Sequence, residues 1–252
     1  MSPSSLPSST LPLRLDYAAI VLAGGRSSRL GGTPKATLAT SGRPLVEVVL
    51  DAVRDARMRV VVGDGPVHPG VLVTQEEPRY AGPAAAVAAG LRALRDAAVT
   101  SPWTVVLACD LPGVRDGIPL LLGAAARAEG RRVTARAAAP EGAALGDGSP
   151  GPATERDPSH SPAPTAVGPF DDDGKGRAGI DGWCLSEDGR LQWLFAIVRT
   201  AGLWRAVNAL GDPTNRSMGA LMGGLILGGL PAPAAVTADI DTWEDADRWL
   251  RP

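Results

Sequence analysis

Between Leu22 and Lys35 the chain reads LAGGRSSRLGGTPK, with four glycines, two serines, one threonine, two arginines and a lysine. Glycine lets successive backbone N–H groups turn inward with no Cβ in the way. Arg26, Arg29 and Lys35 add positive charge. The chemistry of such a cradle is the binding and stabilisation of a polyphosphate. Of the 25 basic residues in the chain, only Lys35 and Lys175 are lysine. Lys35 is therefore informative: its compact ammonium meets a phosphate as a point charge, where Arg offers a planar fork. The loop is not a Walker A loop, because no Gly-Lys-Ser/Thr triplet closes it. It also lacks G-x-G-x-x-G, which disfavours a nicotinamide enzyme. The plainer reading is a Gly-rich surface turn, and the strand before the loop and the cations within it weigh against that.

A second residue of interest is Asp110, which follows the apolar run Trp103 to Ala108 in Cys109-Asp110-Leu111-Pro112. A carboxylate there suits Mg²⁺, which takes one or two carboxylates with phosphates and waters. It equally suits a turn ahead of Pro112, and spacing alone leaves both readings open. His68 and His160 have no Cys/His partner at zinc spacing. No nucleophile–base pairing is visible. Cys109 and Cys184 read as buried, reduced thiols, and two cysteines make no disulfide framework.

The elements that must position these residues alternate. Tyr17 to Leu22, Met58 to Val62, Val71 to Val73 and Trp103 to Ala108 read as strands buried on both faces. Pro44 to Ala56, Gly82 to Ala97 and Ile118 to about Glu129 read as helices. Arg131 to Thr134 reads as the opening of a fifth strand. Alternation of this kind predicts an α/β domain, Rossmann-like, with a mostly parallel sheet flanked by helices. Such sheets bind ligands at the carboxyl ends of their strands, where the Gly24–Lys35 loop and Asp110 fall. Further on, Ser186-Glu187-Asp188-Gly189 separates two apolar runs, a hairpin signal. Helices are read around Leu203 to Leu210 and Met218 to Met222, and Ala234 to Asp239 as a last strand. Thr242 reads as the N-cap of a helix over Trp243 to Leu250, with Asp245 completing a capping box.

Residues 1–14 read as a disordered tail. About 137–178, mostly Ala, Gly, Pro, Ser and Asp, reads as a disordered insertion too poor in apolar residues to offset its ordering entropy. The triplet Asp171-Asp172-Asp173 inside it reads as solvated linker. Residues 15–252 otherwise form one domain. With 25 basic and 27 acidic residues the formal charge is −2, which excludes a generally basic nucleic-acid or anionic-membrane binder. Hydrophobic residues reach 44%, enough for a packed core. The start of the chain carries no secretory signal pattern and no run is long enough to span a bilayer. The expectation is a cytoplasmic protein, a monomer or weak homo-oligomer.

The 22–35 loop resembles the signature loop of nucleotidyltransferases that activate small phosphorylated metabolites, with the molybdenum cofactor guanylyltransferases as the best match. Gly82-Pro83-Ala84-Ala85-Ala86 resembles that family's Gly-Pro-Leu-Ala-Gly helix start. Leu107 to Pro112 resembles its metal-site strand end, and Asp239-Ile240-Asp241-Thr242 its terminal Asn-Val-Asn-Thr or Asp-x-Asp-Thr stretch. The resemblance implies the fold of nucleotide-diphospho-sugar transferases. It implies that Leu22, Ala23 and Gly24, with Gly25 and Gly82, contact the nucleotide, that Arg29 and Lys35 hold the triphosphate, and that Asp110 ligates Mg²⁺. It further implies an acid ahead of the Gly-Pro helix, with Glu77 the nearest candidate. Asp239 and Asp241 replace a common Asn pair, and Asp241 is a candidate second metal contact. Gln192, Trp193 and Asn215 to Met218 weakly match the acceptor side. For them the preferred reading is packing for Trp193 and a polar helix start for Asn-Arg-Ser.

The implied reaction joins GMP from GTP to the phosphate of a metal-loaded molybdopterin and releases pyrophosphate. The alternatives are a cytidylyltransferase for the same pterin, a guanylyltransferase of a small phospho-acid, and a non-catalytic nucleotide-binding module.

Overall fold

A computed structural model describes residues 15–25, 38–40, 42–64, 69–137, 179–240 and 242–250. The tail and most of the 137–178 insertion lie outside the described residues. The strands are β1 (Tyr17–Ala23), β2 (Ala39–Thr40), β3 (Arg43–Pro44), β4 (Arg59–Gly63), β5 (Val71–Thr74), β6 (Trp103–Ala108), β7 (Gly182–Glu187), β8 (Arg190–Arg199) and β9 (Leu227–Pro231). The helices are α1 (Leu45–Ala52), α2 (Pro83–Asp96), α3 (Val114–Ala137), α4 (Thr200–Leu210), α5 (Met218–Met222), α6 (Ala234–Thr237) and α7 (Trp243–Leu250).

Seven strands form one sheet in the order β5-β4-β1-β6-β8-β7-β9. β1 pairs in parallel with both β4 and β6, and β5 with β4. β8 enters antiparallel to both β6 and β7, and β9 returns to parallel pairing with β7. The sheet is thus a parallel wing joined at β6 to a mixed wing.

β1 is buried at every position, as a central strand covered on both faces must be. Its side chains alternate between the faces. Tyr17, Ala19 and Val21 join α1, α3 and the end of α6 in one core. Ala18, Ile20 and Leu22 join α2, α4 and α5 in the other. A third, smaller cluster holds Leu38, Leu45, Ile240 and Ala246, with Trp249 packed against it.

Two sequence expectations give way. Arg131 to Thr134 continue α3 instead of opening a strand. Arg132 forms an i,i+3 ion pair with Glu129, and Thr134 Oγ1 donates to the Gly130 carbonyl one turn back. Val133 is exposed, so the β-branched residue has no sheet to enter. Ala234 to Asp239 is likewise no strand: after Pro233 the chain makes the single turn α6. The final strand is drawn from the glycine-rich apolar run instead, as β9. The thiol of Cys184, in the interior of β7, is pushed up to about 12 by burial. Cys109 stands one residue past β6. Both cysteines are free.

Candidate functional site

At the carboxyl ends of β1 and β6 a cavity of about 980 Å³ opens between α2, the β7–β8 hairpin and the segment after α6, at the upper end of ligand-pocket sizes. The end of β1 is fastened to that of β6 by Cys109 N donating to the Leu22 carbonyl at 3.0 Å. Beyond it the main chain itself forms wall: Leu22, Gly24 and Gly25 line the cavity, and Gly82 and Pro83 at the start of α2 line it opposite. Ala23 does not; its side chain belongs to the first core.

The close approach of β4 to this loop depends on Gly63. Its φ is 116°, a conformation that L side chains rarely adopt. A Cβ there would stand 2.5 Å from Gly24 N and 2.8 Å from the Ala23 carbonyl carbon.

The acid ahead of α2 is Glu76. Glu77, the sequence candidate, is exposed and lies outside the cavity lining, whereas Glu76 is 5% exposed and lines it. Glu76 Oε1 accepts from Tyr80 N at 2.9 Å. Its Oε2 is buried and has no hydrogen-bond partner among the described residues. A buried carboxylate oxygen without a donor is costly, so this atom asks for a donor or cation from whatever fills the cavity. Tyr80 holds φ 64°, the left-handed conformation that presents its N–H to Glu76. Arg79 lies 5.0 Å over the Tyr80 ring and pairs with Asp64 beyond the end of β4. Counting back from Gly82 without fixing the turn geometry could not separate Glu76 from Glu77.

Asp110 lines the cavity and is buried. Its carbonyl accepts from Ile240 N at 3.2 Å, which brings the stretch after α6 to the end of β6. Asp239 lines the same cavity. Hard carboxylate oxygens on two chain segments are the donor set Mg²⁺ takes beside phosphate oxygens, so these residues fit that ion. Among the described residues no group of three or more His, Cys, Asp or Glu gathers as a complete metal cage. Arg29, Lys35 and Asp241 lie outside the described residues.

The far side of the cavity is β8. Arg190, Leu191, Gln192, Trp193, Leu194 and Phe195 all line it, with Met218 from α5. Trp193 packs against the second core as the sequence predicts, and it also faces the cavity. In the Asn215 to Met218 run, Asn215 N donates to the Ala81 carbonyl, Ser217 Oγ caps α5 by accepting from Ala220 N at 3.1 Å, and Met218 alone lines the cavity. Among the described residues no helix is long and apolar enough to cross a membrane.

Comparison with known proteins agrees with this architecture. Residues 19–219, most of the chain, match the model of the MobA-like NTP transferase domain. A molybdenum cofactor guanylyltransferase of Pseudomonas putida is 38% identical over 99 residues, 37% of this chain and 49% of that protein. The chain thus spans about half the length of this curated relative. Among solved structures, a nucleotidyl transferase from Methanothermobacter superposes with a TM-score of 0.52 at 18% identity, covering 93% of this chain and 96% of the other. Molybdopterin-guanine dinucleotide biosynthesis protein A from Archaeoglobus fulgidus gives 0.51 at 16% identity, covering 92% and 96%. At such identities the superpositions speak for a shared fold. By its sheet, its strand-end cavity and the match over residues 19–219, the chain belongs to the family of MobA-like NTP transferase domains.

Proposed function

We propose that the chain transfers the GMP moiety of GTP to the phosphate of a molybdopterin-type acceptor. The observation that carries this reading is that Glu76 and Asp110 line one cavity together with Gly24 and Gly25. Glu76 offers an oxygen that can only accept, next to main chain that can lie against a flat base. Guanine presents adjacent N–H groups to such an acceptor. Asp110 stands at the strand tip where a phosphate chain running on from the base would arrive.

The described lining is rich in acid, with Glu76, Asp110 and Asp239 against the single cation Arg190. A triphosphate enters such a site only with cations between it and the carboxylates. Asp110 and Asp239 would hold Mg²⁺, with Asp241 a further candidate, and the ion would neutralise charge building on the phosphates. Lys35 and Arg29 would supply the remaining charge from the glycine-rich loop. An acceptor phosphate monoester has a second pKa of about 6 and is mostly dianionic at neutral pH. Its oxygen therefore forms the new bond to the α-phosphorus without a strong general base. The bond from that phosphorus to the β-bridging oxygen breaks, and pyrophosphate leaves. What the chain contributes is alignment and charge neutralisation.

The test is pyrophosphate release in the presence of molybdopterin, with each of the four nucleoside triphosphates in turn. GTP should be the preferred donor. Lys35→Ala and Asp110→Ala should each lower turnover about 10²- to 10³-fold. Preference for CTP would replace guanylyl by cytidylyl transfer, and unchanged turnover in both variants would remove the proposed roles.

A further inference from the structure

The tip of β7 reaches over to α6. Glu187, the last residue of β7, pairs with Arg190 across a turn in which Asp188 and Gly189 both hold positive φ, at 48° and 78°. Two such residues close a hairpin tightly without splaying its strands, so Glu187 sits on a firm base. Its Oε2 accepts from Thr237 Oγ1 at 2.6 Å. The Ala234 carbonyl stands 3.4 Å from the same hydroxyl. A hydroxyl has one proton, and the short bond to a carboxylate takes it. Thr237 is 5% exposed, lines the cavity and ends α6. A helix of one turn does not hold itself, and α6 is fixed from outside. Ahead of it Ala232 N donates to the Ser186 carbonyl at 2.9 Å. Its main chain lies on Gly113, where a Cβ would stand 2.5 Å from the Ala235 carbonyl oxygen. Past Thr237 the helix is over, and Asp239 lies in neither helix nor strand. The next residue is Ile240, whose N–H holds the Asp110 carbonyl.

From this we infer that Glu187 is a positioning residue for the divalent-cation site: through the Thr237 hydroxyl it sets Asp239 in place beside Asp110. This rests on the reading that Asp110 and Asp239 hold the cation. Two anchors bracket Asp239. The Ile240 anchor joins main chain to main chain and keeps the stretch at the tip of β6. The Thr237 anchor joins side chain to side chain and fixes the direction from which the stretch arrives. With the first anchor alone, residues 237–239 pivot about Ile240 and the Asp239 carboxylate moves relative to Asp110. Mg²⁺ tolerates such movement badly, because it demands near-octahedral oxygen ligands at about 2.1 Å. The hydrogen bond also sets polarity. Since its proton goes to Glu187, the Thr237 oxygen turns only lone pairs to the rest of its surroundings. The wall beside Asp239 therefore offers acceptors, which suit a cation. Partners that orient metal ligands in this way typically carry about 10- to 100-fold in metal affinity. Glu187 acts at one remove, through Thr237, and belongs at the lower end of that range.

The experiment is titration of the full chain with Mn²⁺ alone, read by the electron-spin resonance of the free ion, so that turnover plays no part. Glu187→Leu and Thr237→Val should each weaken Mn²⁺ binding about tenfold, and the two together no more than either, because they break one bond. Thr237→Ser keeps the hydroxyl and should stay within about twofold of the parent. Glu187→Gln keeps an acceptor without the charge and should fall between. Asp239→Ala should weaken binding at least as much as Glu187→Leu, and adding Glu187→Leu to it should change nothing further. A general loosening of the fold would instead weaken the remaining contact at Asp110 again. The inference is overturned if Glu187→Leu keeps the parent's affinity, if its loss adds to that of Thr237→Val, if Thr237→Ser fails as Thr237→Val does, or if Glu187→Leu acts equally with and without Asp239. Should Glu187→Leu not fold, the threonine variants decide: retention in Thr237→Ser with loss in Thr237→Val supports the inference, and any other pattern rejects it. No binding in the parent, or binding unaltered in Asp110→Ala, removes the cation reading and this inference together. Binding lost in Asp110→Ala but untouched in the Glu187 and Thr237 variants removes this inference alone.

Discussion

One side of the cavity sets the Glu76 carboxylate among glycine main chain, and the other is built from large side chains. On the β1–β4–α2 side the wall is Leu22, Gly24, Gly25 and Gly82, brought together by regular parallel pairing and by a glycine at position 63 that admits the loop. On the β8 side the wall is Gln192, Trp193, Leu194 and Phe195, on the stretch where β8 bulges against β7 between the pairs Cys184–Ala196 and Ser186–Leu191. Main chain offers the same N–H and C=O groups whatever the sequence, which suits a partner common to many relatives. Side chains are changed one at a time, which suits a partner that differs between them. A single cavity can thereby hold one substrate by geometry and another by chemistry.

Glycines test this difference most sharply. Gly63 and Gly189 both have positive φ, but a Cβ on Gly189 would meet nothing within 4 Å. Gly63→Ala should cost about 3 kcal/mol in urea unfolding and take nucleotide affinity with it. Gly189→Ala should cost only about 1 kcal/mol, with nucleotide affinity intact. Equal effects would break the comparison. Next in size is Glu76→Gln, which keeps the shape and removes the charge. It should weaken GTP binding about tenfold in calorimetry and leave pterin-phosphate binding unchanged; loss of both would mean the two sides are not separable. Smallest is Ser217→Ala. Removing the α5 cap should lower unfolding free energy by about 1 kcal/mol with no change in GTP selectivity. α5 bears on both sides of the cavity, so a shift in selectivity would show the sides coupled through it.

The parallel wing was legible because its strands are short apolar runs, β1 and β4 ended by glycine and β6 by Asp-Leu-Pro, a pattern carried by each strand alone. The hairpin at Asp188-Gly189 was legible for the same local reason. So was the capping box: Thr242 N and Oγ1 both donate to Asp245 Oδ2, and Asp245 N donates back to Thr242 Oγ1. What failed was relational. The β8 bulge is a mismatch between two strands, and no single strand encodes it. Trp193 reads as core from its own neighbours, but it is only half-buried, packed against the second core while it lines the cavity. Glu76 and Glu77 are adjacent, and only the left-handed Tyr80 that donates to Glu76 decides which carboxylate turns inward. The Ala234–Asp239 stretch had strand composition, but β7's free edge is taken by β9.

The small third cluster has a consequence for durability. Leu38 leaves the glycine-rich loop, Leu45 opens α1, and Ile240 lies between Asp239 and Asp241 while its N–H holds the Asp110 carbonyl. The chain at Leu38, the start of α1 and the stretch at Ile240 that reaches the tip of β6 are thus clasped by four side chains that belong to neither main core. Such a clasp opens at lower free energy than the sheet beneath it. Warming or mild denaturant would therefore silence the molecule while its spectroscopic signature still reads as native, and a distant change at Ala246 would be felt first as lost potency, not as lost structure.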